Sequence, residues 1–209
     1  MSPHLLKLQN IKIAIEGKSL LDIDCEISGG EIYTVMGPSG SGKSSLLSFI
    51  AGFLSPAFTT QGEVFIDGKN LTHLPAEKRK VGLLFQDPLL FPHLSVAGNL
   101  RFGISQKRNN KDELISSGLS DIGLAGFEDR DPHTLSGGQK SRVALLRLLL
   151  SEPNAVLLDE PFNKLDSHLR RELRAQVFDT LRATGLPTIL VTHDHEDAEA
   201  ANGTVVVLK

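Results

Sequence analysis

The stretch that most constrains this chain is Gly37-Pro38-Ser39-Gly40-Ser41-Gly42-Lys43-Ser44, which fits the spacing G-x-x-x-x-G-K-[ST]. Its flanks fit as well. Ile32-Tyr33-Thr34-Val35-Met36 is a short, largely apolar run suited to a buried parallel strand, and Ser45 to Ala51 reads as a helix. A strand feeding a glycine loop that opens a helix lets backbone N–H groups close around an anion, while the helix N-terminus adds partial positive charge. The anion such a loop takes is phosphate. Residues Gly37 through Ser45 are therefore the candidate phosphate-binding set, with Lys43 placed to neutralise β- and γ-phosphate oxygens and Ser44 to hold Mg2+ through its hydroxyl.

Bulk properties narrow the setting. A chain of 209 residues, 40% hydrophobic and 22% charged, is long enough to bury a core, as one domain or as one domain carrying a subdomain. The net charge of −3 supplies no basic field, so nucleic acid is not an expected partner. The N-terminus, Met1 to Lys7, does not run into a long apolar segment and reads as no export signal, and no run of about eighteen apolar residues spans a bilayer. The one cysteine, Cys25, alternates with acidic residues in Leu21-Asp22-Ile23-Asp24-Cys25-Glu26-Ile27, which puts it on the inward face of a half-buried strand. One thiol forms no internal disulfide, and a reducing cytoplasm is expected.

Taken in order, Leu6 to Ile15 and Leu21 to Ile27 predict two antiparallel strands around a hairpin turn at Glu16-Gly17-Lys18-Ser19. After the first helix, Ser55 to Gly62 reads as a loop, Val64-Phe65-Ile66 as a strand, and Val81 to Phe85 as another strand ending on Gln86. Short helical patterns then take over until the α/β rhythm resumes. Ala155 to Leu158 is a strand, Ser167 to Arg182 a charged amphipathic helix, Thr188 to Val191 a strand, Asp194 to Ala201 a short helix and Thr204 to Leu208 a last strand. The fold class is α/β: a mostly parallel sheet core over residues 1–87 and 151–209, N-terminal antiparallel strands, and an inserted helical subdomain over about 88–150.

Three more motifs carry chemistry. Val156-Leu157-Leu158-Asp159-Glu160 sets two carboxylates at the carboxyl end of a buried strand, where open α/β sheets hold their ligands. Asp159 suits magnesium and Glu160 suits deprotonating an attacking water; by itself such a pair serves equally as a loop start or helix cap. Leu135-Ser136-Gly137-Gly138-Gln139 opens a second helix with two glycines, either a plain N-cap or a second anion-accepting end. His193, after an apolar strand, can by its own context be a capping residue. The remaining histidines (4, 73, 93, 133, 168 and 195) read as surface or loop residues, and Arg170, Arg171 and Arg174 as a solvated helix face.

In this order, the phosphate loop, Gln86, Leu135 to Gln139, Val156 to Glu160 and Thr192-His193-Asp194 resemble the ATP-binding cassette subunits of ABC transporters across essentially the whole chain. The Leu-Ser-Gly-Gly-Gln pentapeptide is the specific part. The resemblance implies a P-loop NTPase fold, ATP and Mg2+ as ligands, and a head-to-tail homodimer. In it Ser136, Gly137, Gly138 and Gln139 of one copy complete the site on the other copy's Lys43. It also implies that Gln86 contacts magnesium and the attacking water, that Asp166 is the D-loop aspartate, and that His193 is the switch histidine. The implied partners are two transmembrane permease subunits and an extracytoplasmic solute-binding protein, with the chain peripheral on the inner face of the cell membrane.

The chain departs from the family pattern in two places. No aromatic precedes Tyr33, and Ile15 stands where family members carry a ring that stacks on adenine, so aliphatic packing with weaker base discrimination is expected. Asn163-Lys164 replaces the usual small pair before Leu165-Asp166. Asp87 to Val96 and Pro132-His133-Thr134 resemble importers, most of all short cassettes of thiamine or related small-solute uptake, and a regulatory C-terminal domain is expected to be missing. The alternatives are a soluble ABC-type ATPase acting on DNA or ribosomes, and a small phosphate-loop kinase that leaves Leu135 to Gln139 without a role.

Overall fold

The computed structural model describes residues 4–163 and 167–208, apart from the side chains of residues 167–169 and 172. Within them the chain divides into two compact units: Met1–Leu83 with Asn154–Glu160 and Phe178–Lys209, and Leu84–Pro153 with Pro161–Val177.

The first unit holds two sheets. Alternation of apolar and polar residues makes strands with one buried face: β1 (Leu5–Ile15) and β2 (Lys18–Ser28) pair antiparallel, with β2 starting earlier than the predicted turn allows. The connecting turn is only Glu16-Gly17, both at positive φ (49° and 76°), the two-residue geometry whose twist matches a hairpin. Cys25 faces the same side as Leu21, Ile23 and Ile27, half-buried as its alternation predicts.

The stretch read as a loop from Ser55 to Gly62 is different. Residues from Phe58 onward belong to β4 (Phe58–Ile66), which pairs antiparallel with β1 and matches Ile15 with Phe58. Polar Thr59, Thr60 and Gln61 are exposed on the ladder and hide it from a hydrophobic reading. A two-residue β5 (Lys69–Asn70) completes the order β2-β1-β4-β5.

The second sheet, in the order β6-β7-β8-β3-β9, is built from β3 (Ile32–Met36), β6 (Val81–Leu84), β7 (Ala155–Asp159), β8 (Thr188–Thr192) and β9 (Val205–Val207). Pairs β7–β8, β8–β3 and β3–β9 are parallel, and every residue of β3 and β8 is buried, as continuous apolar strands covered on both faces must be. Helix α1 (Lys43–Ala51) packs Leu46, Leu47 and Ile50 into the same core as Leu157, Ile189 and Val191. Its C-terminal carbonyls are capped by a buried cation. From the short α2 (Ala76–Arg79), the Arg79 guanidinium donates to Phe49 O (2.8 Å) and Ile50 O (2.9 Å), a favourable charge at a helix C-terminus. Helix α7 (His195–Ala201) follows β8.

The second unit is helical. Helices α3 (Val96–Gly103), α4 (Lys111–Asp121) and α5 (Gly137–Leu149) enclose a core of Val96, Leu100, Leu119, Val143 and Leu146. At Gly118 a Cβ would meet Leu146 Cδ1 at 2.8 Å, so α4 and α5 come close there and a larger residue would require the Leu146 side chain to shift. Arg147 of α5 and buried Asn99 of α3 hold the segment before α3. Asn99 accepts from Phe91 N (2.8 Å) and donates to Ser95 O (3.0 Å), while Arg147 donates to Pro88 O (3.2 Å) and Leu89 O (3.1 Å). The start of α6 (Ser167–Thr184) belongs to this unit and its end to the first. The solvated arginine face predicted on α6 holds for Arg171 but not for Arg174, which is 5% exposed.

Candidate functional site

Buried β3 delivers the chain to Gly37 and leaves no room for drift at the start of the loop. Gly42 sits at φ 89° as the N-cap of α1, with no side-chain cap, and a Cβ there would meet Leu20 and Leu21 at 3.1 Å. Glycine is thus required twice over, by backbone conformation and by packing. The consequence is a bare helix N-terminus whose first amides have no partner within the helix.

Lys43 is only 6% exposed and donates to Gly37 O (2.7 Å) and Pro38 O (2.8 Å), so its ammonium lies within the curl of the loop. Ser44 Oγ donates to Asp159 Oδ1 at 3.2 Å, bridging 115 positions in sequence. Burial pushes the Asp159 carboxyl above its ordinary range; the Ser44 hydrogen bond opposes this, the Glu160 charge adds to it and Lys43 counters it. An alcohol and a carboxylate side by side are the hard oxygen donors that Mg2+ prefers, so these residues fit that ion.

Next to Asp159, Glu160 takes φ 46°, a left-handed conformation that costs a residue with a side chain about 1–2 kcal/mol. The parallel partner holds it there, since Glu160 N donates to Val191 O at 2.9 Å. The bend brings Glu160 Oε1 to 3.2 Å from His193 Nδ1. A second anchor fixes the segment that carries His193. Buried Thr192 donates to buried Asp197 Oδ2 (2.8 Å) and accepts from Asp194 N (3.0 Å), while Asp194 caps α7 through Glu196 N (2.8 Å). Asp197 escapes sequence reading because it lies outside the Thr192-His193-Asp194 motif; its i, i+5 pairing with Thr192 across the strand end was the available signal.

A cavity of about 400 Å³ runs along these groups. Ser39, Gly40, Gly42, Lys43, Ser44, Ser45 and Glu160 line it, and so do Ile15, Leu20 and Phe58. It is polar and cationic at the loop and apolar beyond it. The aliphatic platform expected at Ile15 therefore has an aromatic neighbour. Phe58 escapes a sequence reading because its place beside Ile15 depends on the β1–β4 register.

In the helical unit, Ser136 caps α5. Its hydroxyl accepts from Gln139 N (3.3 Å), and Gln139 Oε1 accepts from Ser136 N (2.9 Å), closing a reciprocal capping box. Buried Leu135 roots the motif, leaving Ser136 and Gly137 exposed and Gly138 buried. Gln86 is exposed in the loop after β6, in this same unit. Asp166 lies outside the described residues.

The ABC transporter family pattern matches residues 20–163, more than half of the chain. The chain belongs to the ABC transporter family. The uncharacterized ABC transporter ATP-binding protein YnjD of Escherichia coli K12 is 42% identical over 94% of this chain and 92% of its own length. The spermidine/putrescine import ATP-binding protein PotA of Mesoplasma florum is 40% identical over 100% of this chain and 60% of its own length, and that of Marinobacter nauticus 39% over 100% and 56%. This ABC chain therefore spans somewhat over half of the PotA proteins it matches. Among its described residues no helix is long and apolar enough to cross a membrane.

Proposed function

We propose that the chain is the ATP-hydrolysing subunit of a membrane transporter: a homodimer around two MgATP that drives two separate permease subunits from the inner face of the membrane. The observation that carries this reading is the convergence, in one unit, of Lys43 in the phosphate loop, the Ser44–Asp159 oxygen pair and the Glu160–His193 pair. Family membership supports ATP as the nucleotide and hydrolysis as the reaction.

In this mechanism the amides of Gly40 to Ser45 and the Lys43 ammonium hold the β- and γ-phosphates. Ser44 and Asp159, with Gln86, would hold Mg2+, which neutralises phosphate charge as it builds up. Glu160 accepts the proton of the attacking water, and the strained turn aims its carboxylate into the cavity. His193 stays beside Glu160 and contacts the γ-phosphate. One loop leaves the outer face of that phosphate uncovered; Ser136, Gly137, Gly138 and Gln139 of a second copy cover it with another helix N-terminus. ATP holds the copies together and hydrolysis lets them part.

Import is supported by the names of the PotA relatives, spermidine/putrescine import proteins. The solute, bound outside the cell by a separate solute-binding protein, is chosen by those partners and not by this chain. A partner surface is available on the helical unit, where Leu89 (55% exposed) and Phe102 (71%) present large apolar side chains to solvent.

Glu160→Gln tests the mechanism. Phosphate release is expected to fall by about 10²–10⁴ while ATP still binds, and light scattering should show an accumulated dimer. Steady turnover in that variant refutes Glu160 as the base. Affinity capture from detergent-solubilised membranes is expected to bring down two integral membrane subunits; recovery of ribosomes or DNA instead refutes transport.

A further inference from the structure

The nucleotide cavity is bipolar, and its apolar end has a structural origin. Ile15 is the last residue of β1 and Phe58 the first of β4, and the two are direct partners across the antiparallel ladder. Side chains so opposed on one face have Cβ atoms about 4.5–5.5 Å apart, so a ring on one and an aliphatic chain on the other make a continuous surface. Leu20, from β2, adds to it and lies against the loop itself, 3.1 Å from where a Cβ on Gly42 would stand. All three side chains are half-buried and line the same cavity as Gly40, Lys43 and Ser45. Phe58 is held at the strand start by a hydrogen bond from its N–H to Ser55 O at 3.1 Å. A nucleotide whose phosphates occupy the loop has its base to place, and this wall is the apolar part of the cavity.

We propose that Phe58 is the base-stacking residue of this site. Its ring packs on the nucleobase, with Ile15 and Leu20 completing an aliphatic edge. The proposal rests on the reading of Gly37 to Ser45 as a nucleotide phosphate site and adds the residue that recognises the rest of the ligand. Stacking uses the π-face common to all bases, so it binds purines without strong choice between them.

The chain contains no tryptophan, which makes a direct probe possible. Binding of ATP, GTP and inorganic tripolyphosphate is measured on the full chain and on Phe58→Ala, Phe58→Tyr and Phe58→Trp. Phe58→Ala is expected to weaken ATP and GTP by roughly tenfold and to leave tripolyphosphate unchanged. Phe58→Tyr should restore nucleotide affinity. The single tryptophan introduced by Phe58→Trp should be quenched by ATP and not by tripolyphosphate. Equal weakening of ATP and tripolyphosphate in Phe58→Ala marks a purely structural residue and overturns the proposal, as do unchanged ATP affinity or absent quenching. A wild-type chain that binds tripolyphosphate as tightly as ATP overturns the stacking alone, whereas one that binds neither overturns the phosphate site as well.

Discussion

Two helices of this protein open on glycine, and their first turns are built in opposite ways. At α1, Gly42 caps with no side chain and Lys43 and Ser44 follow at once; at α5, Ser136 and Gln139 close a box that uses both the N-cap and N3 amides. A helix start carries four amides without intrahelical partners, so the first is incomplete until an anion arrives, whereas the second has two of its four met by its own side chains. The difference fits two separate duties. In the proposed dimer the bare end binds, and the capped end keeps its shape before it meets phosphate held by another copy.

The largest effect is expected at the bare end. Lys43→Ala removes the only cationic side chain among the described residues that line the cavity, and charge-assisted bonds of about 1.5–3 kcal/mol translate to an ATP affinity loss of roughly one to two orders of magnitude. Equilibrium dialysis checks this, and a loss below threefold would show that the amides alone carry the phosphates.

Substitution at the capped end should separate folding from function. Aspartate caps a helix as well as serine does, so Ser136→Asp is expected to melt with the wild type. Its carboxylate would face the γ-phosphate of the partner's ATP, and dimer formation on adding ATP should be lost. Ser136→Ala reverses the emphasis, costing about 1 kcal/mol of stability while dimerisation persists in weakened form. Thermal melts and light scattering on both variants read the contrast; an ATP-induced dimer of Ser136→Asp would sink the proposed role of this end.

The same contrast marks what the sequence makes visible. Both glycine loops, the buried strands before Gly37 and up to Asp159, and the position of Glu160 directly after a strand are local matters, where spacing within a few residues decides geometry. What stayed hidden depends on pairings far apart in the chain. Phe58 meets Ile15 only through a β4 extension written in polar Thr59, Thr60 and Gln61, residues that look like loop until a neighbouring strand satisfies their backbone. The partners of Arg79, carbonyls of α1 about thirty positions away, are set by the fold and leave no local signal in the sequence. Arg174 belongs to a helix rich in charge, and helical periodicity alone does not say which arginine turns inward.

The smallest effect is at Asp159, where binding and stability pull in opposite directions. Burial raises its pKa, so the folded state holds that proton more tightly than the unfolded chain does. The associated stability is fully present below the unfolded value of about 3.9 and is lost as pH rises through the raised folded value, leaving an ionised carboxylate that costs stability at neutral pH. Asparagine has the same shape and can still accept the Ser44 hydroxyl through its amide oxygen. In chelator at pH 7.5, Asp159→Asn should therefore melt above wild type, and the gap should close as pH falls through the raised folded value, below which Asp159 is itself protonated. The effect is small because the Ser44 hydrogen bond and the Lys43 charge already offset part of the desolvation. With Mg2+ and ATP present the order should invert, since the carboxylate then has the cation it was held for. A variant that is less stable than wild type at every pH would mean that the Ser44–Asp159 bond, rather than the buried charge, dominates this corner of the site.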